Sequence, residues 1–178
     1  DVLCWGMNEH GAVGTNSTEY SFIEQPTLVL EDVRQIDATD DSTCALTNSG
    51  QAYAWGQNEF FQLGLCDYSD SFAPSKVSCL RDNAQVDSIH LTALTGHAIL
   101  KGNGGILSWG TDTYGTLGDG ESDPTLQSCC YTHKMKFYSA PSNTTAVTGT
   151  ALPALFLIIF AKQCSTELLY LGLCFVLF

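Results

Sequence analysis

The sequence predicts an all-β fold, a partial β-propeller of about two to three four-stranded antiparallel blades, followed by an apolar C-terminal tail. A tryptophan-centred motif occurs three times, with its Trp at positions 5, 55 and 109. Repeats of about 50 residues are typical of propellers and solenoids. Short strand-like runs are bounded by Gly and Asn, and residues 1–125 carry no helical hydrophobic stripe over about three turns.

The motif reads Trp, Gly, any residue, Asn or Asp, any residue, an aromatic residue or His, usually Gly, any residue, Val or Leu, and Gly. Its first copy, residues 5–14, returns as residues 55–64 and as residues 109–118. Agreement in this many columns is not expected by chance. The repeat-motif residues are Trp5, Gly6, Asn8, Gly11 and Gly14, then Trp55, Gly56, Asn58 and Gly64, then Trp109, Gly110, Asp112, Gly115 and Gly118.

Each repeat divides into strand-like runs. Residues 51–55 and 105–109 are short runs that end at the motif Trp, and residues 33–38 and 43–47 form two further runs. Asn48-Ser49-Gly50, which lies between two runs, is typical of a hairpin turn. This order predicts four antiparallel strands in each repeat, as in a propeller blade.

The motif columns are predicted to be structural rather than ligand-binding. The Trp of each copy supplies a large buried area, and the Gly after it permits close backbone approach or a positive φ. The Asn or Asp is expected to bond its own backbone two residues on and so to fix a turn. The closing Gly of each copy is expected in the left-handed conformation.

These residues resemble the repeat of the regulator of chromosome condensation (RCC1) family, in which a strand ends in Trp-Gly-x-Asn and Gly-Gln-Leu-Gly follows. Residues 61–64 and 115–118 are similar to the second element, and residues 26–29 are similar to the family's Pro-Thr-x-Val. The resemblance covers residues 1–125 as partial and degenerate repeats, with Phe61 in a Gly column. It implies a propeller fold and protein partners, and its best-known activity is guanine nucleotide exchange on a small GTPase. No residue here matches an exchange-specific site.

An arc of two to three blades would leave strand edges and the faces of its end blades exposed. The sequence leaves three ways of covering them. Further repeats of a longer protein are favoured, and the alternatives are the chain's own tail or a second copy.

The chain of 178 residues is acidic, with 7 Lys and Arg against 19 Asp and Glu and a formal net charge of -12. Such a surface repels phosphate, so direct nucleic-acid binding through the charged face is not expected. Adsorption on anionic lipid is not expected for the same reason. The hydrophobic share of 44% argues against general disorder.

The sequence holds no Walker loop, nucleophile elbow, HExxH pair or EF-hand loop. We therefore predict no catalytic residue, no cofactor and no metal, with Cys129-Cys130-x-x-His133 as the alternative metal-binding set. The even count of eight cysteines fits disulfides in a secreted protein, but cysteines in apolar strand-like runs, such as Cys4 and Cys44, are typical of free residues that pack as small hydrophobes; the sequence leaves the disulfide state open. His97 shares a column with Cys44 and is expected to be packed.

We divide the chain into RCC1-like repeats over residues 1–125, a polar linker over 126–150 and a hydrophobic tail over 151–178. The apolar runs 151–161 and 168–178 of the tail are each too short to span a bilayer as a helix. Three interpretations of the tail stay open: a C-terminal membrane anchor, a hairpin packed on the exposed end of the arc, or an atypical terminus outside the repeat frame.

The resemblance implies a protein–protein interaction scaffold or regulatory module rather than an enzyme. Partner-binding loops are expected in the stretches 15–25 and 65–73, which follow a closing Gly and precede a Pro. Their aromatic residues are Tyr20, Phe22, Tyr68 and Phe72. The alternatives are a guanine nucleotide exchange regulator of a small GTPase and a membrane-tethered repeat protein held by residues 151–178. The favoured compartment is the cytoplasm, with membrane association as the alternative.

Overall fold

A computed structural model describes residues 1–18, 22–82, 84–102, 105–120, 127–134 and 173–176, the last two ranges as backbone. Apart from one 3₁₀ turn at Glu9–Gly11, the elements in these ranges are strands. They are β1 (Val2–Met7), β2 (Phe22–Leu30), β3 (Val33–Ala38), β4 (Ser42–Thr47), β5 (Ala52–Gly56), β6 (Ser71–Lys76), β7 (Val86–Leu91), β8 (Thr95–Leu100), β9 (Ile106–Thr111), β10 (Gln127–Lys134) and β11 (Leu173–Val176). The predicted all-β fold is confirmed.

Backbone contacts divide the chain into one unit, Asp1–Lys136 with Leu169–Phe178, and a second, Phe137–Leu168. All the strands belong to the first unit, and the second lies outside the described residues.

The strands form antiparallel sheets that follow the predicted blade pattern. Two sheets have four strands, in the orders β3-β4-β5-β6 and β7-β8-β9-β10. The third sheet has the order β11-β1-β2. In it β1 and β2 take the places of β5 and β6, because β1 carries the motif Trp. Strand β10 falls in the stretch that the sequence assigned to the linker, so the sheet β7-β8-β9-β10 extends beyond residue 125.

Hairpins of the predicted type connect the central strands. Gly50 has φ 87°, and the Thr47 amide donates to the Gln51 carbonyl at 2.9 Å, which closes the turn between β4 and β5. The equivalent turn between β8 and β9 is closed by the Leu100 amide, which donates to the Gly105 carbonyl at 2.8 Å. Tight turns of this kind fix the register of the strands that they join.

Hydrophobic side chains fill the space between neighbouring sheets. One cluster contains Val2, Val13 and Trp55, from the first two repeats. The larger cluster contains Leu46 and Trp109, from the second and third repeats. Both tryptophans are 0% exposed, and burying a ring of this size stabilises the fold by about 4–6 kcal/mol. The core therefore lies between the repeats, and Trp55 and Trp109 each join two of them.

Candidate interaction surface on the repeat loops

The Asn or Asp of each motif copy binds the backbone of its own loop. In every copy its Oδ1 accepts a hydrogen bond from the amide five residues on. The bonds are Val13 to Asn8 at 3.2 Å, Leu63 to Asn58 at 3.1 Å and Leu117 to Asp112 at 3.1 Å. These bonds reach three residues further along the chain than the bond expected from the sequence. In the first copy, turns closed by Gly11 and Gly14 fold the loop back, which brings the later amide to the side chain.

The Trp of one repeat binds the loop of the repeat before it. Trp55 donates from Nε1 to the carbonyl of Ala12 at 3.0 Å. The closing glycine makes room for this indole: Gly14 has φ 78°, and a Cβ added there would lie 2.7 Å from Trp55 Nε1. The left-handed conformation expected of this glycine is thus present. Trp109 and Gly64 repeat the arrangement one repeat later, with φ 70° at Gly64.

The glycine that follows each Trp lies against the loop between the first two strands of its own sheet. Gly56 has φ 103°, and a Cβ there would overlap the carbonyl oxygen of Asp41. Gly110 has φ 109°, and its Cβ would overlap the carbonyl of Leu94. Both reasons anticipated from the sequence, positive φ and close backbone approach, apply at once.

Polar side chains of β3 bind the backbone of β7 in the next sheet. Arg34 donates to the carbonyls of Val86 and Asp87, Gln35 bonds both the amide and the carbonyl of Ile89, and Asp37 accepts from the amide of Leu91. The sequence analysis assigned no role to these side chains, because their partners lie more than 50 positions away. The neighbouring sheets are thus joined by specific hydrogen bonds as well as by apolar packing.

Charged groups meet where the first two repeats touch. His10 Nδ1 lies 2.7 Å from Asp70 Oδ2, in a side-chain hydrogen bond. Burial disfavours the protonated imidazole, but the bond and the negative charge of Asp70, with Asp41 and Glu9, outweigh it and raise the pKa of His10. Burial also raises the pKa of Asp41, against the effect of His10. His10 has φ 54°, so the motif places a non-glycine residue in the left-handed region here.

Of the predicted partner-binding aromatics, Phe22 is 60% exposed at the start of β2 and Tyr68 is 71% exposed in the loop before β6. Phe72 lies within strand β6 rather than in the predicted loop and is half-buried. Its Cα would lie 2.6 Å from a Cβ added at Gly11, so it packs under the first loop. Tyr20 lies outside the described residues.

The structure adds two aromatic residues that the sequence analysis did not assign to a partner-binding surface. Phe61, in the Gly column of the second motif, is half-buried, has φ 59° and makes an edge-on contact with Tyr68, with ring centroids 6.3 Å apart. Tyr114 is 81% exposed in the third loop. The sequence could have identified both residues, since they occupy columns of the repeat motif and the backbone conformation of those columns is set by the repeat.

Cys4 departs from what is typical of a cysteine in an apolar strand-like run. It is disulfide-bonded rather than free, although it is fully buried as predicted. Cys44 is free and buried, and burial raises the pKa of its thiol well above the usual value. His97 is 4% exposed, as expected of a packed residue.

Among the side chains that the structure describes, no group of three His, Cys, Asp or Glu could hold a metal ion. The side chains of Cys129, Cys130 and His133 lie outside that set. Within the described ranges, no helix is long and apolar enough to cross a membrane.

Two family models match the chain. Both describe the regulator of chromosome condensation (RCC1) repeat, one over residues 33–62 and the other over residues 49–93. Together they span the second repeat and the first strand of the third, β7.

Curated relatives share about a third of the matched residues. The ultraviolet-B receptor UVR8 of Arabidopsis thaliana is 30% identical over 123 residues, which covers 68% of this chain and 28% of the receptor. The probable E3 ubiquitin-protein ligase HERC4 of Homo sapiens is 32% identical over 126 residues, which covers 66% of this chain and 11% of the ligase. The chain thus spans less than a third of either relative.

Solved structures share the fold at lower identity. Prp20p of Saccharomyces cerevisiae, described with binding properties to Gsp1p and histones, superposes with a TM-score of 0.61 at 21% identity, covering 76% of this chain and 34% of Prp20p. Human WBSCR16 superposes with a TM-score of 0.60 at 20% identity, covering 73% of this chain and 33% of that protein. Two complete four-stranded blades, the loop geometry and both family models agree: residues 33–93 carry repeats of the RCC1 family, in a fold that matches part of an RCC1-like β-propeller.

Proposed function

We propose that this repeat unit is a non-catalytic protein-interaction module, and that the loop between β5 and β6 is its main contact surface. The observation that carries the proposal is Tyr68, a large aromatic side chain that is 71% exposed on a loop whose backbone is held in place. Exposed, rigidly presented aromatic residues are frequent anchors of protein interfaces.

The loop is fixed from beneath by the motif Asn. Asn58 donates from Nδ2 to the carbonyls of Asp67 at 2.8 Å and Ser69 at 3.1 Å, on either side of Tyr68. The backbone amide of Asn58 donates to Oδ1 of Asp70 at 2.9 Å. A loop ordered in advance loses less conformational entropy on binding, which favours affinity.

The chemistry of the loop indicates a basic partner segment. Glu59 and Asp67 are exposed in the same loop as Tyr68, and the chain carries a formal net charge of -12. A Lys or Arg of the partner would gain from these carboxylates and from the face of the Tyr68 ring. We expect such binding to weaken as salt is raised, because exposed charges are screened.

The relatives support an interaction or regulatory role of the same kind. They include a light receptor and ubiquitin-protein ligases, in which the matched region is a fraction of a longer protein. None of these activities is transferred to this chain.

The test is affinity purification of partners with the wild-type chain and with Tyr68→Ala. Loss of the partner set in Tyr68→Ala supports the proposal. The matched control is Leu28→Ala, which removes a side chain that is 50% exposed on strand β2 rather than on a loop. Equal retention of partners by Tyr68→Ala and the wild type would overturn the placement.

The alternative is regulation of guanine nucleotide exchange on a small GTPase. Its support is the likeness to Prp20p, described with binding to Gsp1p, at an identity of 21%. A nucleotide-release assay against a panel of small GTPases distinguishes the two functions. Acceleration with any of them favours the exchange regulator, and no acceleration leaves the interaction module.

A further inference from the structure

Cys4 has a covalent partner whose identity can be inferred from the fold. Its side chain is 0% exposed and disulfide-bonded. Cys44, Cys66 and Cys79 are in the reduced thiol form, which leaves Cys129, Cys130, Cys164 and Cys174 as candidates.

The strand register singles out one of these. In the antiparallel pair of β1 with β11, Cys4 lies directly opposite Cys174, between the pairs Leu3–Phe175 and Trp5–Leu173. Directly opposed Cα atoms of antiparallel strands are about 4.5–5.5 Å apart. Disulfides require Cα separations of about 4.4–6.8 Å.

The other candidates are less well placed. Cys129 and Cys130 lie in β10, which pairs with β9 in a sheet that does not contain β1. Cys164 lies outside the described residues. We propose that Cys4 and Cys174 form one disulfide, which clamps β11 onto the edge of β1 opposite β2.

The clamped strand takes the position that β4 has in the second repeat. There Cys44 faces Ala54 and Thr43 faces Trp55. In the first sheet Cys174 faces Cys4 and Leu173 faces Trp5, in the same register. The C-terminal strand therefore supplies backbone partners to an edge of β1, and unpaired edges are the usual sites of unwanted strand association.

The bond forms by thiol–disulfide exchange. Each of the two thiols loses a proton and one electron to give the disulfide, and an external disulfide such as oxidised glutathione takes up both electrons and both protons to become two thiols. An external dithiol reverses the exchange. Since Cys4 is fully buried, we expect reduction of the folded chain to be slow until β11 or the sheet opens.

The test is peptide mapping of the oxidised full chain. Free thiols are alkylated in denaturant without reductant, and the chain is cut after Lys, Arg and Glu. These cuts place Cys4 in residues 1–9, Cys174 in residues 168–178, Cys164 in residues 163–167, and Cys129 with Cys130 in residues 122–134. We expect residues 1–9 joined to 168–178, with both peptides released by reductant. Recovery of Cys4 alkylated, or joined to either other peptide, would overturn the proposal.

Two variants test the clamp itself. With Cys174→Ser, the amides of residues 2–5 should exchange with solvent at least tenfold faster, while those of residues 52–56 should be unchanged. Equal exchange in wild type and variant would show that the bond does not hold β11. The matched control is Ala54→Cys, which places a thiol opposite Cys44 in the same register. Oxidation of that variant should join positions 44 and 54, and failure to do so would count against the register argument.

Discussion

Trp109 donates a hydrogen bond from its indole Nε1 to the carbonyl of Gln62 at 3.0 Å, across 47 positions of the chain. Trp55 makes the equivalent bond to Ala12. Trp55 and Trp109 thus each complete the loop of the preceding repeat, and the closing glycine of that loop, Gly14 or Gly64, makes room for the indole. The repeats are therefore coupled in series, so damage to one loop is expected to reach its neighbour.

Trp109→Phe keeps an aromatic ring but removes the indole N–H. We expect a loss of about 1–3 kcal/mol in the free energy of unfolding, because the buried carbonyl of Gln62 loses its partner. Urea unfolding followed by circular dichroism measures it. Tyr114→Phe, at a side chain that is 81% exposed, is the control and should change stability little. A loss as small as that of the control would show that the hydrogen bond is not important.

Gly64→Ala and Gly50→Ala separate backbone strain from steric overlap. Both glycines have positive φ, 70° and 87°, and an alanine there costs about 1–2 kcal/mol for the conformation alone. A Cβ at Gly50 meets nothing within 4 Å, whereas one at Gly64 would lie 2.8 Å from Trp109 Nε1. Gly64→Ala should therefore lose at least 1 kcal/mol more than Gly50→Ala in urea unfolding. Equal losses would contradict the close contact.

The sequence was sufficient to predict three strands of the second repeat, β3 to β5, since alternating apolar residues and glycine turns are local signals. Strand β6 was not predicted, and its first residues fall in the stretch 65–73 that was assigned to a loop. Val33–Ala38 forms β3 as predicted, and the strands that end near Trp55 and Trp109 begin and end within two residues of the predicted runs. Repetition strengthened these predictions, because each column is sampled three times. It also indicated that Phe61 stands where a Gly is usual, which is the position where the structure has φ 59°.

Contacts between repeats could not be predicted in the same way. The bonds of Gln35 to Ile89 depend on which strands become neighbours, and no local pattern encodes that. The disulfide state of Cys4 could not be predicted for the same reason, because β11, the strand that pairs with β1, comes from the far end of the chain. Two cysteines in similar strand-like runs thus differ in oxidation state: Cys4 is disulfide-bonded and Cys44 is a free thiol.

Asn58→Asp gives the second loop the carboxylate that the third loop has in the same motif column, at Asp112. The carboxylate still accepts from the Leu63 amide but no longer donates to the carbonyls of Asp67 and Ser69. We expect a loss of about 1–3 kcal/mol in stability. Hydrogen exchange should also become faster in residues 65–70 than in residues 115–120. The reciprocal Asp112→Asn keeps its acceptor and should leave the third loop protected; unchanged protection in both variants would show that the amide donors do not order the second loop.

His97→Cys tests the acid sensitivity of the core and copies the residue that the second repeat has in this column. Burial, and to a lesser extent the charge of His90, lowers the pKa of His97 from 6.5 to about 4. The unfolded chain therefore binds a proton at this side chain between pH 6.5 and pH 4 while the folded chain does not. Stability from His97 is complete above pH 6.5 and falls by about 3 kcal/mol as the pH drops to 4. The raised pKa of His10 acts in the opposite direction, since it favours the folded state below its folded pKa. The contribution of His10 is the same in the wild type and in the variant, so it cancels when the two are compared.

Urea unfolding of wild type and His97→Cys at pH 7 and pH 4 measures the effect. The variant should lose less of its free energy of unfolding between these pH values, because a buried neutral thiol does not titrate in this range. Parallel losses in the two chains would mean that His97 takes up its proton in the folded state at an ordinary pH.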